Sequence, residues 1–145
     1  MSAPSTARSG GPRRVPLADL PGRPCPAAAA LELVGERWAL LVVRELLLGS
    51  RRFTDVLRGT GAPRDRVTAR LRSLEEAGLV VRRRYQDAPP REEYLLTEAG
   101  RALAPVVAGL TAWGRAYAVA PDDPLRDRHR HLRPAGAVSG PDAAG

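Results

Sequence analysis

Four breaks divide the middle of the chain into short segments, and they constrain the fold more than any other feature of the sequence. Gly35, Gly49 and Gly78 each follow a stretch of apolar periodicity, where a glycine commonly ends a helix. The stretch from Arg58 to Pro63, with two glycines and a proline, indicates a turn. The sequence therefore predicts several short helices, which must pack against one another to be stable.

The spacing of apolar residues predicts where these helices lie. In the longest of them, Val67, Leu71 and Leu74 recur at i, i+4 and i+7 and form a narrow apolar stripe. Thr97 and Glu98 are suited to cap and begin the last helix. The predicted helices are Pro26–Val34, about 37–48, Phe53–Arg58, about 64–77 and one that starts after Thr97.

Two strand-like stretches lie between the fourth and the last helix. They are Leu79–Gln86 and Glu92–Thr97, joined by a link at Asp87–Arg91. The fold class expected is mainly α with a small β-hairpin wing, a winged helix-turn-helix over residues 24–120. Residues 1–23 are expected to form a flexible basic arm and residues 121–145 a disordered tail, since both are rich in proline and glycine without periodicity.

The last helix carries a seam of large apolar residues at alternating spacings of three and four. This pattern is typical of a helix that packs along another helix. Pro105 lies inside the stretch and should bend the helix or shift its start. The seam is interpreted as a homodimer contact, with intradomain core as the alternative. Its members are Leu103, Val106, Leu110, Trp113 and Tyr117.

Positive charge is concentrated in one part of the chain. The formal net charge is +7, and all 23 basic residues are arginines. Residues 51–84 hold ten arginines against four acidic residues. Such a segment indicates binding to nucleic acid or to an anionic surface. Double-stranded DNA is the predicted partner, and an acidic protein partner or a merely solvated surface is the alternative.

The candidate DNA-binding residues lie on the fourth helix, just before the third helix and on the hairpin. Arg64 and Arg72 could donate to guanine edges, and Asp65 could accept from cytosine or position an arginine. The hairpin and the approach to the third helix are expected to meet phosphate. The full set is Arg51, Arg52, Arg64, Asp65, Arg66, Thr68, Arg72, Arg83 and Arg91.

The sequence gives little sign of catalysis, metal binding or a cofactor. Both histidines, His129 and His131, lie in the charged tail without a cysteine or paired carboxylates nearby. Gly59-Thr60-Gly61 lacks the Gly-Lys-Ser/Thr of a phosphate-binding loop. No apolar stretch approaches membrane-spanning length, and a single cysteine, Cys25, fits a reducing cytoplasm. We therefore expect a cytoplasmic protein that is not an enzyme and needs no cofactor.

From Cys25 to Ala118 the sequence resembles the HxlR-type family of bacterial winged-helix regulators. The resemblance implies homodimers that pair through their first and last helices and bind pseudo-palindromic DNA, mostly as repressors. At the start of the recognition helix, Pro63 and Asp65 stand where the family usually has a serine and a basic residue. The motifs that carry the resemblance include Cys25-Pro26, Gly35-Glu36-Arg37-Trp38, Arg44-Glu45-Leu46, Arg52-Phe53, Pro89-Pro90-Arg91, Glu93-Tyr94 and Trp113-Gly114.

Two hypotheses concern a signal that such a regulator could receive. Cys25 begins the first helix near Arg23, and helix amides and a cation both stabilise a thiolate. Some members of the resembled family sense oxidants through a cysteine at this place, and the alternative is a small buried residue at a dimer interface. Trp38, Trp113 and Tyr117 could instead line a pocket for a small-molecule effector, or be core residues only.

Overall fold

A computed structural model describes residues 11–129 of the chain. Two compact units divide after Arg101. The first unit contains helices α1 to α5 and one hairpin, and the second contains helix α6 and the turns that follow it. The elements are α1 (Pro26–Val34), α2 (Ala39–Leu47), α3 (Phe53–Thr60), α4 (Arg64–Glu76), β1 (Val80–Asp87), β2 (Pro90–Leu96), α5 (Glu98–Arg101) and α6 (Ala104–Trp113).

Proline and glycine set the limits of the helices as their chemistry dictates. Pro26 opens α1 at a position where its missing N–H breaks no helical hydrogen bond. Gly61, with φ 70°, ends α3 in the left-handed conformation that glycine adopts without strain. The predicted end of α3 at Arg58 was wrong by two residues. The Thr60 hydroxyl donates to the carbonyl of Leu57 and accepts from the N–H of Ala62, which extends the helix.

The core of the first unit lies between α2, α3 and α4. Val42 of α2, Val56 of α3 and Val67 of α4 have no exposed surface, and Leu71 and Leu74 are almost completely buried. The apolar stripe predicted for the fourth helix is thus confirmed. Burying a side chain of this kind contributes about 1.5–3 kcal/mol each, so this face fixes α4 to the domain and directs its other face outward.

A buried carboxylate determines how closely α2 packs against α3. Glu45 is only 7% exposed. It pairs with its neighbour Arg44, whose Nη2 lies 2.9 Å from the Glu45 carboxylate and also donates to the carbonyl of Gly59 at 2.9 Å. The same carboxylate occupies the space that a Cβ on Gly59 would need. The absence of a side chain at residue 59 therefore lets the two helices pack closely.

The hairpin is longer and its turn tighter than predicted. β1 pairs antiparallel with β2 from Val80 opposite Leu96 to Asp87 opposite Pro90, which leaves only Ala88 and Pro89 in the turn. The predicted five-residue link at Asp87–Arg91 was wrong, because Asp87, Pro90 and Arg91 belong to the strands. Proline is accepted at the first residue of a strand, where its missing N–H costs no ladder bond.

The predicted last helix is divided into two. Thr97 caps α5, since its hydroxyl accepts from the N–H of Gly100 at 3.1 Å and donates to the carbonyl of Gly78 at 2.8 Å. After Arg101 the helix stops, and α6 begins with Pro105 in its first turn. The predicted effect of Pro105 on the start of the helix is confirmed. A π-helical turn, Gly114–Ala118, follows α6.

The chain outside the winged core is described only in part. Residues 11–22 of the predicted arm include a 3-10 turn at Leu17–Asp19, and the N–H of Arg13 donates to the carbonyl of Ala77 at 2.8 Å. In the second unit, Arg115 pairs with Asp127 at 2.7 Å. Residues 1–10 and 130–145, the outer parts of the predicted arm and tail, lie outside the described residues, as does His131.

Candidate nucleic-acid interface

One face of α4 presents polar side chains to solvent while the opposite face is held in the core. All five candidate residues of this helix are exposed: Arg64, Asp65, Arg66, Thr68 and Arg72. A helix with an exposed polar face of this kind is suited to a major groove about 12 Å wide. The structure therefore brings these candidates together on one surface.

The five candidates differ in what they contact within the protein. The guanidinium of Arg64 lies over the ring of Phe53, with its Cζ 5.1 Å from the centroid. The Thr68 hydroxyl donates to the carbonyl of Arg64 at 3.0 Å. Among the described residues, Asp65, Arg66 and Arg72 show no side-chain hydrogen bond or ion pair. Of the five candidates, these three could contact a ligand without first breaking such a bond.

Several arginines of the hairpin are neutralised by acidic neighbours. Arg82 contacts Glu75 of α4 at 3.1 Å and Glu92 of β2 at 3.6 Å. The hydrogen bond that Arg82 donates to Glu75, followed by the negative charge of Glu75, raises the pKa of Arg82 above its ordinary value. Arg84 lies 3.9 Å from Asp87. The basic strand is therefore less available to an anion than its three consecutive arginines suggest.

Three of the arginines predicted to bind DNA contact residues of the hairpin instead: Arg51, Arg52 and Arg83. Arg83 Nε donates to Glu93 at 3.0 Å, and Arg51 lies 3.8 Å from the same carboxylate. The guanidinium of Arg52 lies over Tyr85, with its Cζ 5.3 Å from the ring centroid. These arginines join the segment before α3 to the wing.

Arg91 is the hairpin arginine that remains available. It is exposed near the turn, opposite Gln86 in the register of the hairpin. Its guanidinium makes no hydrogen bond or ion pair with any part of the chain that the structure describes. The expected position near the tip of the wing is thus found, although Arg91 lies in β2 rather than in the turn.

Sequence reasoning missed Glu93 and Tyr85, which hold Arg51, Arg52 and Arg83 against the hairpin. Arg83 pairs with Glu93 only because the register of the hairpin places them opposite each other. A two-residue turn and a register shift between Arg84 and Gln86 together set that register, whereas the sequence suggested a longer link. The alternation of arginine with acidic residues on the two strands is the one signal that could have pointed to these pairs.

Comparison with known proteins identifies the family to which these elements belong. The model of the family described as "HxlR-like helix-turn-helix" matches residues 33–122. This chain belongs to the HxlR-like helix-turn-helix family. The match covers α2 to α6, so the exposed face of α4 and the hairpin are elements of the family fold.

The HxlR-like chain is similar to transcriptional regulators of distant microbes. It is 48% identical over 101 residues to a helix-turn-helix regulator of Mycobacterium tuberculosis, covering 69% of this chain but only 64% of that relative. A regulator of Methanothermobacter thermautotrophicus is 37% identical over 94 residues, covering 64% of this chain and 72% of the relative. Both relatives are named as regulators of transcription.

A solved structure shares the fold. The redox regulator HypR in its oxidized form superposes with a TM-score of 0.59 at 34% identity, covering 63% of this chain and 96% of that one. The predicted winged helix-turn-helix is thus confirmed for the HxlR-like chain.

The second unit of this HxlR-like protein exposes most of the predicted seam on α6 and the turn after it. Trp113 and Tyr117 lie with ring centroids 5.6 Å apart and are 62% and 77% exposed. Val106 and Leu110 are 44% and 54% exposed, whereas Leu103 is half-buried. In the first unit, Leu31 of α1 is also exposed, at 61%. Both helices therefore carry large apolar side chains that a single chain leaves in water.

The remaining candidates of the HxlR-like chain stand in ordinary surroundings. Trp38 is half-buried, with the Arg37 guanidinium 4.3 Å from its ring centroid. Cys25 is an exposed thiol at the N-terminal cap of α1.

Within residues 11–129, no group of three His, Cys, Asp or Glu side chains is placed to hold a metal ion. None of the described helices combines the length and the apolar character needed to cross a membrane.

Proposed function

We propose that this protein is a sequence-specific transcriptional repressor that binds duplex DNA through α4 and the hairpin. The observation that carries the proposal is the set of side chains without partners in the described chain, Asp65, Arg66 and Arg72, on the exposed face of α4. Guanidinium and carboxylate groups complement guanine and cytosine edges in the major groove. A repressor of this kind acts in the cytoplasm, where bacterial DNA is found.

We further propose that the protein binds DNA as a homodimer over residues 24–120, with residues 1–23 as an arm and 121–145 as a tail. The exposed seam of α6 and Leu31 of α1 supply apolar surface for pairing. A two-fold dimer presents two copies of α4 to half-sites about one helical turn apart, roughly 10 bp between their centres. The operator is then pseudo-palindromic.

Selection of duplexes from a random library by the purified protein tests the proposal. The expected product is an inverted repeat, and nuclease footprinting should show both half-sites protected. Protection of one half-site by a monomer would overturn the dimeric arrangement. Enrichment of no sequence would favour the alternative, in which the arginine-rich surface binds an acidic protein partner.

Replacing Arg72 and Arg91 separately should weaken DNA binding in two different ways. Arg91→Ala should weaken binding to all duplexes alike, because a residue near the wing tip contacts mainly the backbone. Arg72→Ala should in addition relax the preference at one base pair, at a cost of roughly 1–3 kcal/mol there. Selection and titration with both variants measure this, and an equal loss of base preference in the two would contradict the assignment.

A signal could reach the protein through Cys25 or through an aromatic pocket. We propose that Cys25 is a thiol sensor, since it is exposed at the start of α1 and the chain is similar to the redox regulator HypR. A small-molecule effector held by Trp38, Trp113 and Tyr117 is the second hypothesis. In either case the signal would release the protein from its operator.

Oxidation distinguishes these two routes. Treatment with hypochlorite or a quinone should lower the DNA affinity of the wild type, because a modified thiol at α1 would disturb the proposed dimer. A Cys25→Ser variant should keep its affinity under the same treatment. If both proteins keep their DNA equally, Cys25 has a structural role and the signal enters elsewhere.

A further inference from the structure

The carboxylate of Glu93 is enclosed midway along the hairpin, opposite Arg83. Its side chain is 12% exposed, although it lies on a two-stranded hairpin whose other acidic residues, Asp87 and Glu92, are far more exposed at 91% and 42%. Arg83 reaches it from β1, and Arg51 reaches it from the segment between α2 and α3. One carboxylate thus receives two guanidinium groups from two different elements.

Two further contacts tie the same segment to the wing. The N–H of Tyr94 donates to the carbonyl of Arg51 at 2.7 Å, so the residue next to Glu93 is also bonded to the helix-turn-helix. The guanidinium of Arg52 lies over Tyr85 of β1. The segment before α3 therefore contacts both strands of the hairpin, and Glu93 lies at the centre of these contacts.

Arg51 and Arg83 are 57% and 60% exposed, and turning either guanidinium fully toward a phosphate would require it to leave this carboxylate. Removing the partners of a largely buried carboxylate costs more free energy than breaking an exposed ion pair, because the carboxylate is left poorly solvated. By contrast, Arg91 has no partner to leave among the described residues. The electrostatic free energy around Glu93 therefore favours keeping Arg51 and Arg83 on its carboxylate.

We propose that Glu93 is a positioning residue, which holds Arg51 and Arg83 and so sets the direction in which the wing presents Arg91. The inference rests on the DNA binding proposed above. It assigns to Arg51 and Arg83 a contact within the protein, and it leaves Arg91 as the phosphate contact of the wing. The role of Glu93 is indirect, since its carboxylate does not touch DNA.

Glu93→Gln gives a test in which two effects have opposite signs. The substitution raises the net charge by one, and a simple electrostatic effect would tighten binding to any duplex. Loss of the wing's direction should instead weaken binding to the selected duplex by about tenfold, the equivalent of one charge-assisted contact. Binding to a random-sequence duplex should become tighter, so the ratio of specific to non-specific affinity falls.

Glu98→Gln is the matched control. Glu98 is an exposed acidic residue of α5 that forms no side-chain bond with the rest of the described chain. The change alters charge and shape in the same way as Glu93→Gln. It should leave the specificity ratio unchanged, and thermal unfolding of both variants shows whether they are folded.

A measurement without DNA separates this inference from the proposed function. In Glu93→Gln the Tyr94 amide should exchange its hydrogen faster than in the wild type, because its bond to Arg51 is no longer supported. Unchanged exchange together with wild-type or tighter binding to the selected duplex would overturn the inference. If the wild type itself selects no duplex, the proposed function fails while the exchange experiment still reports on the wing.

Arg83→Ala keeps the inference testable if Glu93→Gln does not fold. A phosphate contact contributes about one unit to the slope of log affinity against log salt. Arg83 as a positioning partner of Glu93 should lower affinity and leave that slope unchanged. A slope reduced by about one for each subunit would make Arg83 a phosphate contact and overturn the inference.

Discussion

Raising the salt concentration from about 50 to about 200 mM is expected to weaken binding to duplex DNA by about 10³–10⁵-fold, as for about 6–10 phosphate contacts. The structure favours the lower end of this range. Arg66 and Arg91 are exposed and unpaired within the described chain, as is Arg64 apart from its contact with the Phe53 ring, and two subunits would bring about six such groups to phosphate. Each contact releases counterions from the phosphates, and added salt opposes that release.

Fluorescence anisotropy of a labelled duplex at several salt concentrations measures this dependence. Arg66→Ala should reduce the slope by about one contact for each subunit if Arg66 meets phosphate. Arg128→Ala removes the same charge from an exposed position in the second unit and serves as the control. A flat response of the wild type to salt would contradict the phosphate assignments altogether.

Leu110→Asp is expected to dissociate the dimer and, through it, to abolish operator binding. Leu110 is 54% exposed in the single chain, and burying a leucine contributes about 1.5–3 kcal/mol. A two-fold axis counts each substitution twice, and about half of each leucine remains to be buried, so lost burial alone should weaken the dimer by roughly 10–200-fold. An aspartate facing its symmetry mate would add an unfavourable charge.

Analytical ultracentrifugation across a range of concentrations measures the change in assembly. Leu125→Asp is the control, because Leu125 is 56% exposed yet lies outside the seam. It should leave the mass unchanged. A Leu110→Asp protein that remains dimeric would show that the seam is not the dimer contact and would favour packing within one chain.

Local chemistry was enough to predict most helices of the fold but not the turn of the hairpin. Gly49, Gly61 and Gly78 follow helices with a positive φ, a backbone conformation that glycine adopts without strain and that is decided within a few residues. The turn at Ala88-Pro89 depends on which residues pair across the strands. Two adjacent prolines suggest a loop when only local preferences are considered, since neither can donate a hydrogen bond.

The same contrast holds for the candidate site. The periodicity of Val67, Leu71 and Leu74 was sufficient to predict which face of α4 is exposed. It was not sufficient to show which arginines are engaged, because Glu93 follows Arg51 by about forty residues and their contact depends on tertiary structure. The sequence shows how many arginines a segment contains. The structure shows how many of them are paired with acidic neighbours.

The length of the hairpin makes it a lever. Beyond Arg83, which lies opposite Glu93, β1 has four more residues, and at about 3.3 Å per residue they extend roughly 13 Å to the turn. A rotation of about 10° at Glu93 would displace the turn by about 2 Å, more than half the length of a typical hydrogen bond. The angle of the hairpin at Glu93 therefore governs where Arg91 arrives.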